Sequence, residues 1–551
     1  MNKLKPKLFS VMKNYTRSQL IKDIIAGIIV AIIALPLSIA LAIASGVGPT
    51  AGLYTAIIAG FFISFLGGSR VQIGGPTAAF VVIIYGIVED YGMSGLTIAT
   101  IMAGFFLILM GFFRLGTLIK YIPYTITTGF TAGIAVGIFA GQIKDFLGLD
   151  MGSVPSEFIE KISAYGENIS SIDIQTTLIG VISLAILIIW PKITDKLPGS
   201  LVAIIVATLI VKLGKLDVAT IGSVYGELSS AFPKPSIPDM SFDMVKNLIS
   251  PAFTIAILAG IESLLSCVVS DGMVGSRHRS NMELVAQGVG NVASGLFGGI
   301  PATGAIARTA ANVKNGGRTP IAGIVHSITL LLILLLLMPL AALIPMTTLA
   351  AVLIMVAYNM SGWREFLSLA KKSPKSDTTV LITTFVLTVV FDLVVAIEIG
   401  IVLAALLFMK RMADVTTLES WKYIEDEEEA MDDAESIQLK EVPKNTLVYE
   451  INGPMFFAAA DKFMDIATSS SDKVNAIIFR MRAVPAMDAT VMHTLNNVYE
   501  TCKSKNITLI FSHVMEQPMS VMKKDGFVAK IGEENFAPNI DAALKRAGEI
   551  A

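Results

Sequence analysis

Between Ile24 and Met409 the chain alternates long apolar stretches with short polar breaks, and beyond Lys410-Arg411 the apolar runs become short and charged residues separate them. A helix needs about 20 apolar residues to cross a bilayer, and fewer where it is broken. On that measure spans begin near Ile24, Ala51, Pro76, Leu96, Ile122, Ile174, Leu201, Pro251, Leu284, Thr303, Ile321, Thr347, Thr378 and Leu393, fourteen in all. The tail reads differently. Strand-like stretches at Thr446–Ile451, Val474–Met481 and Ile507–Ser512 alternate with helices from Met455, Asp488 and Met515, which predicts a small sheet covered by helices. The expected division is a transmembrane transport domain at 1–412, an acidic linker at 413–442 and a soluble α/β domain at 443–551.

Charge orients these spans. Lys and Arg favour the cytoplasmic side of short loops. The N-terminal tail carries Lys3, Lys5, Lys7, Lys13, Arg17 and Lys22, so it is expected inside. Every even-numbered junction then carries basic residues: Arg70; Arg114 and Lys120; Lys192 and Lys196; Arg277 and Arg279; Lys314 and Arg318; Arg364 to Lys375. Short odd-numbered junctions show Glu89, Asp90 and Asp392 instead. Both termini are expected in the cytoplasm of a multi-pass plasma-membrane protein. Composition agrees: hydrophobic residues are 54% and charged residues 16%, against about 25% charged in a soluble domain. The net charge of −2 excludes a nucleic-acid binder. Two cysteines and four scattered histidines offer no metal or cofactor site. A GxxxxGK[ST] loop, an HExxH pair and an aspartyl-phosphate motif are absent, so neither an enzyme nor a primary pump is expected.

Two segments are too interrupted to be plain spans. Phe65 to Phe80 and Leu296 to Thr309 each hold a Gly-Gly pair, a Gly/Pro stretch and then a short apolar helix. They are the third and tenth segments, seven apart. Ile122-Pro123-Tyr124-Thr125 and Ile344-Pro345-Met346-Thr347 repeat the same offset. Seven is odd, so the halves run in opposite directions, a 7+7 inverted repeat. Paired broken segments of this kind point to a transporter's midplane site. Each half-helix presents free N–H groups and acts as about half a positive charge at its start, so two of them facing make an anion site. Gly129, Gly133, Gly137 and Gly141, four apart, read as a stripe for close helix contact.

Ionisable residues inside spans are functional candidates. Arg308, five residues after Thr303, adds a full charge about 7–8 Å along the tenth half-helix. Glu262 lies in the eighth span with Ser266 one turn along the same face. The pair Arg308 and Glu262 is either a structural ion pair or an attractor for the anion with a proton-accepting coupling group. Glu398 reads as peripheral, at a subunit contact.

The motifs resemble those of the SulP (sulfate permease) family of anion transporters over nearly the whole chain. Ala34 to Ala42, followed by Gly52-Leu53-Tyr54, is similar to its first-helix motif, Gly75-Pro76-Thr77-Ala78 to its third, and Phe297 through Arg308 to its tenth. The resemblance implies an α-helical membrane protein with core and gate domains, as in nucleobase permeases, moving as an elevator. It implies an anion held by Gly75, Pro76, Thr77 and Ala78 with Ala305, Ile306, Ala307 and Arg308. Leu37 and Leu41 stand where some vertebrate relatives carry Gln and Phe. Sodium-coupled bicarbonate relatives have Asp in place of Glu262 and no Arg in place of Arg308, so no sodium requirement is expected here. The tail is similar to the family's cytoplasmic STAS domain. There Asp488 reads as a helix N-cap, and Ala489 occupies the position of the phosphorylated Ser of related regulators.

The expectation is a secondary active transporter of small oxyanions such as sulfate, by proton-coupled uptake or exchange, working as a homodimer in the bilayer, with Glu262 and Ser266 at the coupling site. Bicarbonate and a four-carbon dicarboxylate satisfy the same charges, and an anion channel of the same fold is the other class.

Overall fold

The computed structural model describes residues 4–117, 123–152, 154–155, 157–194, 198–236, 238, 241–391, 393–415, 417–421, 440–456 and 474–550. Ile122, Lys120, Lys196, Asp392, the acidic run from Glu425 to Glu435, and the helix expected from Met455 beyond Phe456 lie outside them. The chain divides into two compact units, Met1–Val402 and Leu403–Ala551.

The first unit is helical. In chain order it holds α1 (Arg17–Ala44), α2 (Pro49–Leu66), the two-residue strand β1 (Gly74–Gly75), α3 (Val81–Phe112), α4 (Tyr124–Gly141), α5 (Ile174–Ile193), α6 (Gly199–Gly214), α7 (Ile249–Val274) and α8 (Ser280–Leu296). Strand β2 (Thr303–Gly304), α9 (Ile306–Lys314), α10 (Ile321–Ala341), α11 (Met346–Ser361), α12 (Lys375–Val390) and the first part of α13 (Leu393–Val415), which runs on into the second unit, follow. A single 3₁₀ turn, Ala78–Phe80, leads into α3. Among the described residues eight helices are long and apolar enough to cross a membrane: α1 to α5, α7, α10 and α11. Helix α3 holds two expected spans, because Gly92 beside Glu89 and Asp90 takes φ 64°, ψ −167°, a conformation open to glycine, and breaks it. The other expected spans fall on α6, α8, α9 and α12, which are shorter or more polar, and on α13.

Within this unit α1, α2, α3 and α7 to α10 pack together, and α4, α5, α6, α11 and α12 form a second group. Small residues set how close the helices come. A Cβ on Gly104 of α3 would lie 2.6 Å from Gly288 O of α8, and one on Gly288 would lie 2.5 Å from Gly104 O. Glycine at both positions therefore brings the two backbones into contact. The predicted stripe on α4 behaves likewise at three of its positions. Cβ atoms on Gly129 and Gly133 would meet α12 at 2.7 and 2.6 Å, and one on Gly137 would meet Val82 at 3.2 Å, while Gly141 faces open space.

The second unit contains a five-stranded sheet in the order β3 (Thr417–Trp421), β4 (Thr446–Asn452), β5 (Ala476–Ala483), β6 (Thr508–Ser512), β7 (Phe536–Ala537). Strand β3 is antiparallel to β4 and the other pairs are parallel. It falls in the stretch expected to be linker. Along β5, Ile477, Phe479 and Met481 enter one core and Ala476 and Ile478 the other, the period-two pattern of a strand covered on both faces. Helices α14 (Ala489–Ser504), α15 (Glu516–Asp525) and α16 (Ile540–Ile550) complete the covering layers. Asp488 caps α14 as expected, its Oδ1 accepting from Val491 N at 2.9 Å. Arg480, 1% exposed, is neutralised across the sheet by Glu450 at 3.1 Å.

Candidate functional site

The two broken segments meet. Gly74 pairs with Gly304 and Gly75 with Thr303 in an antiparallel bridge, and Ala305 N donates to Ile73 O at 2.9 Å. Irregular backbone inside a membrane protein leaves peptide groups that something must satisfy. Here polar side chains from neighbouring helices do so. Glu283 of α8 accepts from Gly68 N (2.8 Å) and Ser69 N (3.0 Å), fixing the segment before β1. Thr55 of α2 accepts from Ile300 N (2.7 Å), and Asn291 of α8 bonds both N and O of Ala302 (2.8 Å each), fixing the segment before β2. Glu283 and Thr55 thus each clamp one broken segment from the helix that precedes the other, and Asn291 adds a clamp from the helix just before β2.

A second set of bonds joins the crossing to α7. Gln72 donates to Ser263 O (3.1 Å), and its Oε1 accepts from Ser266 Oγ (2.9 Å), which also reaches Thr309 Oγ1 (3.3 Å). Thr309 Oγ1 accepts from Ile73 N at 3.1 Å, and Asn312 donates to Val71 O at 2.9 Å. Ser266, expected beside Glu262 at the coupling site, is therefore committed to the crossing.

Both helices that start at the crossing are uncapped. The 3₁₀ turn follows Thr77, a residue type that normally caps its own helix, but the Thr77 hydroxyl donates instead to Glu262 Oε2 at 3.1 Å. The N-cap of α9 is Ala305, which has no side-chain acceptor. The first helical bond of α9 runs from Thr309 N to Ala305 O at 2.9 Å, so the N–H groups of Ile306, Ala307 and Arg308 precede it. Two helix starts with free donors converge on one place, with Thr77 and Ala305 half-buried and Ile306 and Ala307 exposed.

Arg308 is nearer that start than expected. Thr303 and Gly304 are spent on the bridge, so α9 begins at Ile306 and Arg308 stands in its first turn, about 3 Å along. Its side chain, 2% exposed, reaches across to the other broken segment, where Nη2 donates to Pro76 O. A Cβ on Gly75 would lie 2.5 Å from Arg308 Nη1, so glycine there makes the room the guanidinium occupies. Nε and Nη1 have no hydrogen-bond partner among the described residues. No ion pair joins Arg308 to Glu262 among them; the carboxylate is engaged by Thr77 and the guanidinium by the Pro76 carbonyl.

Of the expected residues, Gly75, Pro76, Thr77, Ala78, Ala305, Ile306, Ala307, Arg308 and Glu262 come together. Leu41 is buried, and Leu37 lines a cavity against α5, α6 and α11. Glu398 accepts from Ser250 at 3.2 Å. Sequence reasoning missed Gln72, Glu283, Asn291, Thr309 and His326. His326 of α10 is fully buried with neither ring nitrogen bonded among the described residues. Glu283 and His326 carried a readable signal, as ionisable residues inside apolar stretches.

A helical membrane unit built on two crossed, broken segments, followed in the chain by a separate small α/β unit, defines a transporter. The profile of the Sulfate permease family matches residues 20–384 and that of the STAS domain residues 436–543. YvdB of Bacillus subtilis, a candidate sulfate transporter, is 40% identical over 531 residues, 96% of this chain and 98% of that protein. The bicarbonate transporter BicA of Synechocystis is 31% identical over 512 residues, 91% of this chain and 89% of that one. The murine anion transporter Slc26a9 in its inward-facing state shares the fold, with a TM-score of 0.88 over 99% of this chain and 94% of that chain at 18% identity. The chain belongs to the sulfate permease family: it is a multi-pass membrane anion transporter with a C-terminal STAS domain, and not an enzyme.

Proposed function

We propose that the protein is a secondary active transporter of sulfate-class oxyanions, with the anion seated between the turn at Ala78–Phe80 and the start of α9. One observation carries this reading: a buried guanidinium with two unbonded nitrogens stands where two uncapped helix starts converge. Gly75, Pro76, Thr77 and Ala78 would line one side and Ala305, Ile306, Ala307 and Arg308 the other. Free peptide N–H groups, the helix dipoles and one fixed charge all favour an oxyanion over a neutral base.

Glu262 serves as the coupling group. Among the described residues its one hydrogen bond is with the Thr77 hydroxyl, at the N-cap of the opposing turn, so a change in its protonation acts on the anion seat itself. That suits proton-coupled uptake or exchange. Fourteen spans in a seven-plus-seven inverted repeat are supported by the antiparallel bridge and by the reciprocal clamps on the two segments. Helices α1 to α3 with α7 to α10 form the core, α4 to α6 with α11 to α13 the gate, and an elevator displacement of one against the other carries the anion. The domains are 1–412, 413–442 with β3 lent to the sheet, and 443–551. Both termini face the cytoplasm of a plasma membrane, and the protein works as a homodimer.

A second reading, bicarbonate, is favoured by the likeness to BicA. Uptake of sulfate, bicarbonate and a four-carbon dicarboxylate into proteoliposomes, each at two pH values, separates them. Saturable sulfate uptake that the other two fail to compete supports the first reading. Uptake of bicarbonate alone supports the second, and movement of none of the three removes the transport reading.

A further inference from the structure

The N-terminal segment is fastened to the membrane unit. Lys7 N donates to Gly67 O at 2.8 Å and Lys7 Nζ to Arg277 O at 2.8 Å, while Arg279 reaches Lys5 O at 2.7 Å and Ser10 Oγ at 3.0 Å. The Phe9 ring meets Phe65 edge-on at 6.2 Å. Between this segment, the start of α1 and the loop after α9 lies a cavity of about 530 Å³. Lys7, Arg70 and Arg318 line it together with the hydroxyls of Ser10, Tyr15 and Thr319, and no carboxylate does.

None of the three cations forms an ion pair among the described residues. Arg70 makes no hydrogen bond or ion pair among the described residues, and its Nε is buried. Among the described residues the Arg318 guanidinium meets carbonyl oxygens, those of Val313 and Gly317 at 2.7 Å, and Lys7 Nζ likewise meets a carbonyl. Burial, with the charges of Arg279 and Arg70, holds the Lys7 ammonium below its usual range. The nearby carboxylate of Asp23 stands behind the cavity wall. It accepts from Tyr15 (2.9 Å), Gln19 (3.0 Å), Arg318 N (2.8 Å) and Thr319 Oγ1 (2.5 Å). Burial and the bond to Asp23 push the Tyr15 phenol up to about 12, so it remains a neutral donor.

Next to this basic cavity the chain exposes apolar side chains: Leu4, Phe9 and Met12 on the segment, and Ile21, Ile24, Ile25 and Ile28 on α1. A soluble phosphate would use the charges and ignore that face. A phospholipid uses both. We infer that the cavity binds the phosphate headgroup of an anionic glycerophospholipid, with its acyl chains along the exposed face of α1. The bound headgroup bridges the N-terminal segment, Arg70 just before the crossing, and the loop that ends α9.

The test uses the full chain, stripped of lipid in detergent, followed by tryptophan-detected melting while dioctanoyl phosphatidylglycerol, dioctanoyl phosphatidylcholine or glycerol 3-phosphate is titrated. Phosphatidylglycerol is expected to raise the melting temperature saturably, at least about tenfold tighter than phosphatidylcholine, with no shift from glycerol 3-phosphate. Arg70→Gln and Lys7→Gln should each weaken it about fivefold, and Lys13→Gln, outside the cavity, should leave it unchanged. Equal affinity for the two lipids overturns the proposal on the wild-type chain alone, whatever the variants do. So does undiminished phosphatidylglycerol binding by both cavity variants. An equal shift from glycerol 3-phosphate assigns the cavity to a soluble phosphate and overturns the lipid.

Discussion

Removing the Arg308 guanidinium is the perturbation whose size is most directly set by the geometry. A unit charge about 4 Å from an anionic oxygen, in surroundings of effective dielectric near 20, contributes about 4 kcal/mol per unit of anion charge. Each uncapped helix start, acting as about half a charge at a similar distance, contributes about 2 kcal/mol. Arg308 therefore supplies roughly half of the attraction, and the helix ends the rest. Water entering the space left by Arg308→Ala recovers part of the loss, so KM for anion uptake should rise about 10²- to 10³-fold. Arg308→Lys keeps the charge without the planar fork and should fall between. Initial rates of labelled sulfate uptake into proteoliposomes, over a range of concentrations, give KM and the maximal rate separately. Melting curves on the same preparations check that losing the bond to the Pro76 carbonyl has not unfolded the chain. A correctly folded Arg308→Ala protein with the wild-type KM would refute the reasoning.

Three further outcomes follow from the same geometry. Glu262→Gln should abolish the dependence of uptake on an inward proton gradient while anion-for-anion exchange continues; gradient dependence that survives removes Glu262 from coupling. Glu283→Ala strips two buried peptide N–H groups of their acceptor and should cost about 2–6 kcal/mol, seen as a lowered melting temperature of the full chain; an unchanged melting temperature contradicts the clamp. Asp488→Ala removes the cap of α14, worth about 1 kcal/mol, and should speed hydrogen exchange at the Val491 amide several-fold with transport unchanged.

Most of the helical architecture was legible because a lipid solvent enforces long apolar runs, and the two crossed segments were legible because Gly and Pro break such runs. The depth of Arg308 was not. The two-residue bridge at Thr303–Gly304 has no sequence signature and delays the start of α9. The clamps were hidden for a different reason. Glu283 and Asn291 lower the apolar character of α8 without saying that their partners are peptide groups of the two broken segments, and Gln287 bonds the Glu283 carboxylate itself. Thr77 shows how local preference misleads: its type and position predict a cap, yet its hydroxyl serves Glu262. Strand β3 escaped notice because five residues beside a long polar stretch carry too little pattern, and the antiparallel pairing with β4 that defines it is tertiary.

The central claim concerns where the anion sits, and selenate, a sulfate analogue with an anomalous scatterer, tests it most directly. A crystal structure of the full chain grown with selenate should show its anomalous peak between the turn at Ala78–Phe80 and the first turn of α9, within hydrogen-bond distance of Arg308. A transport-competent protein whose only selenate peak lies elsewhere, with the Arg308 nitrogens bonded to protein, would contradict the account.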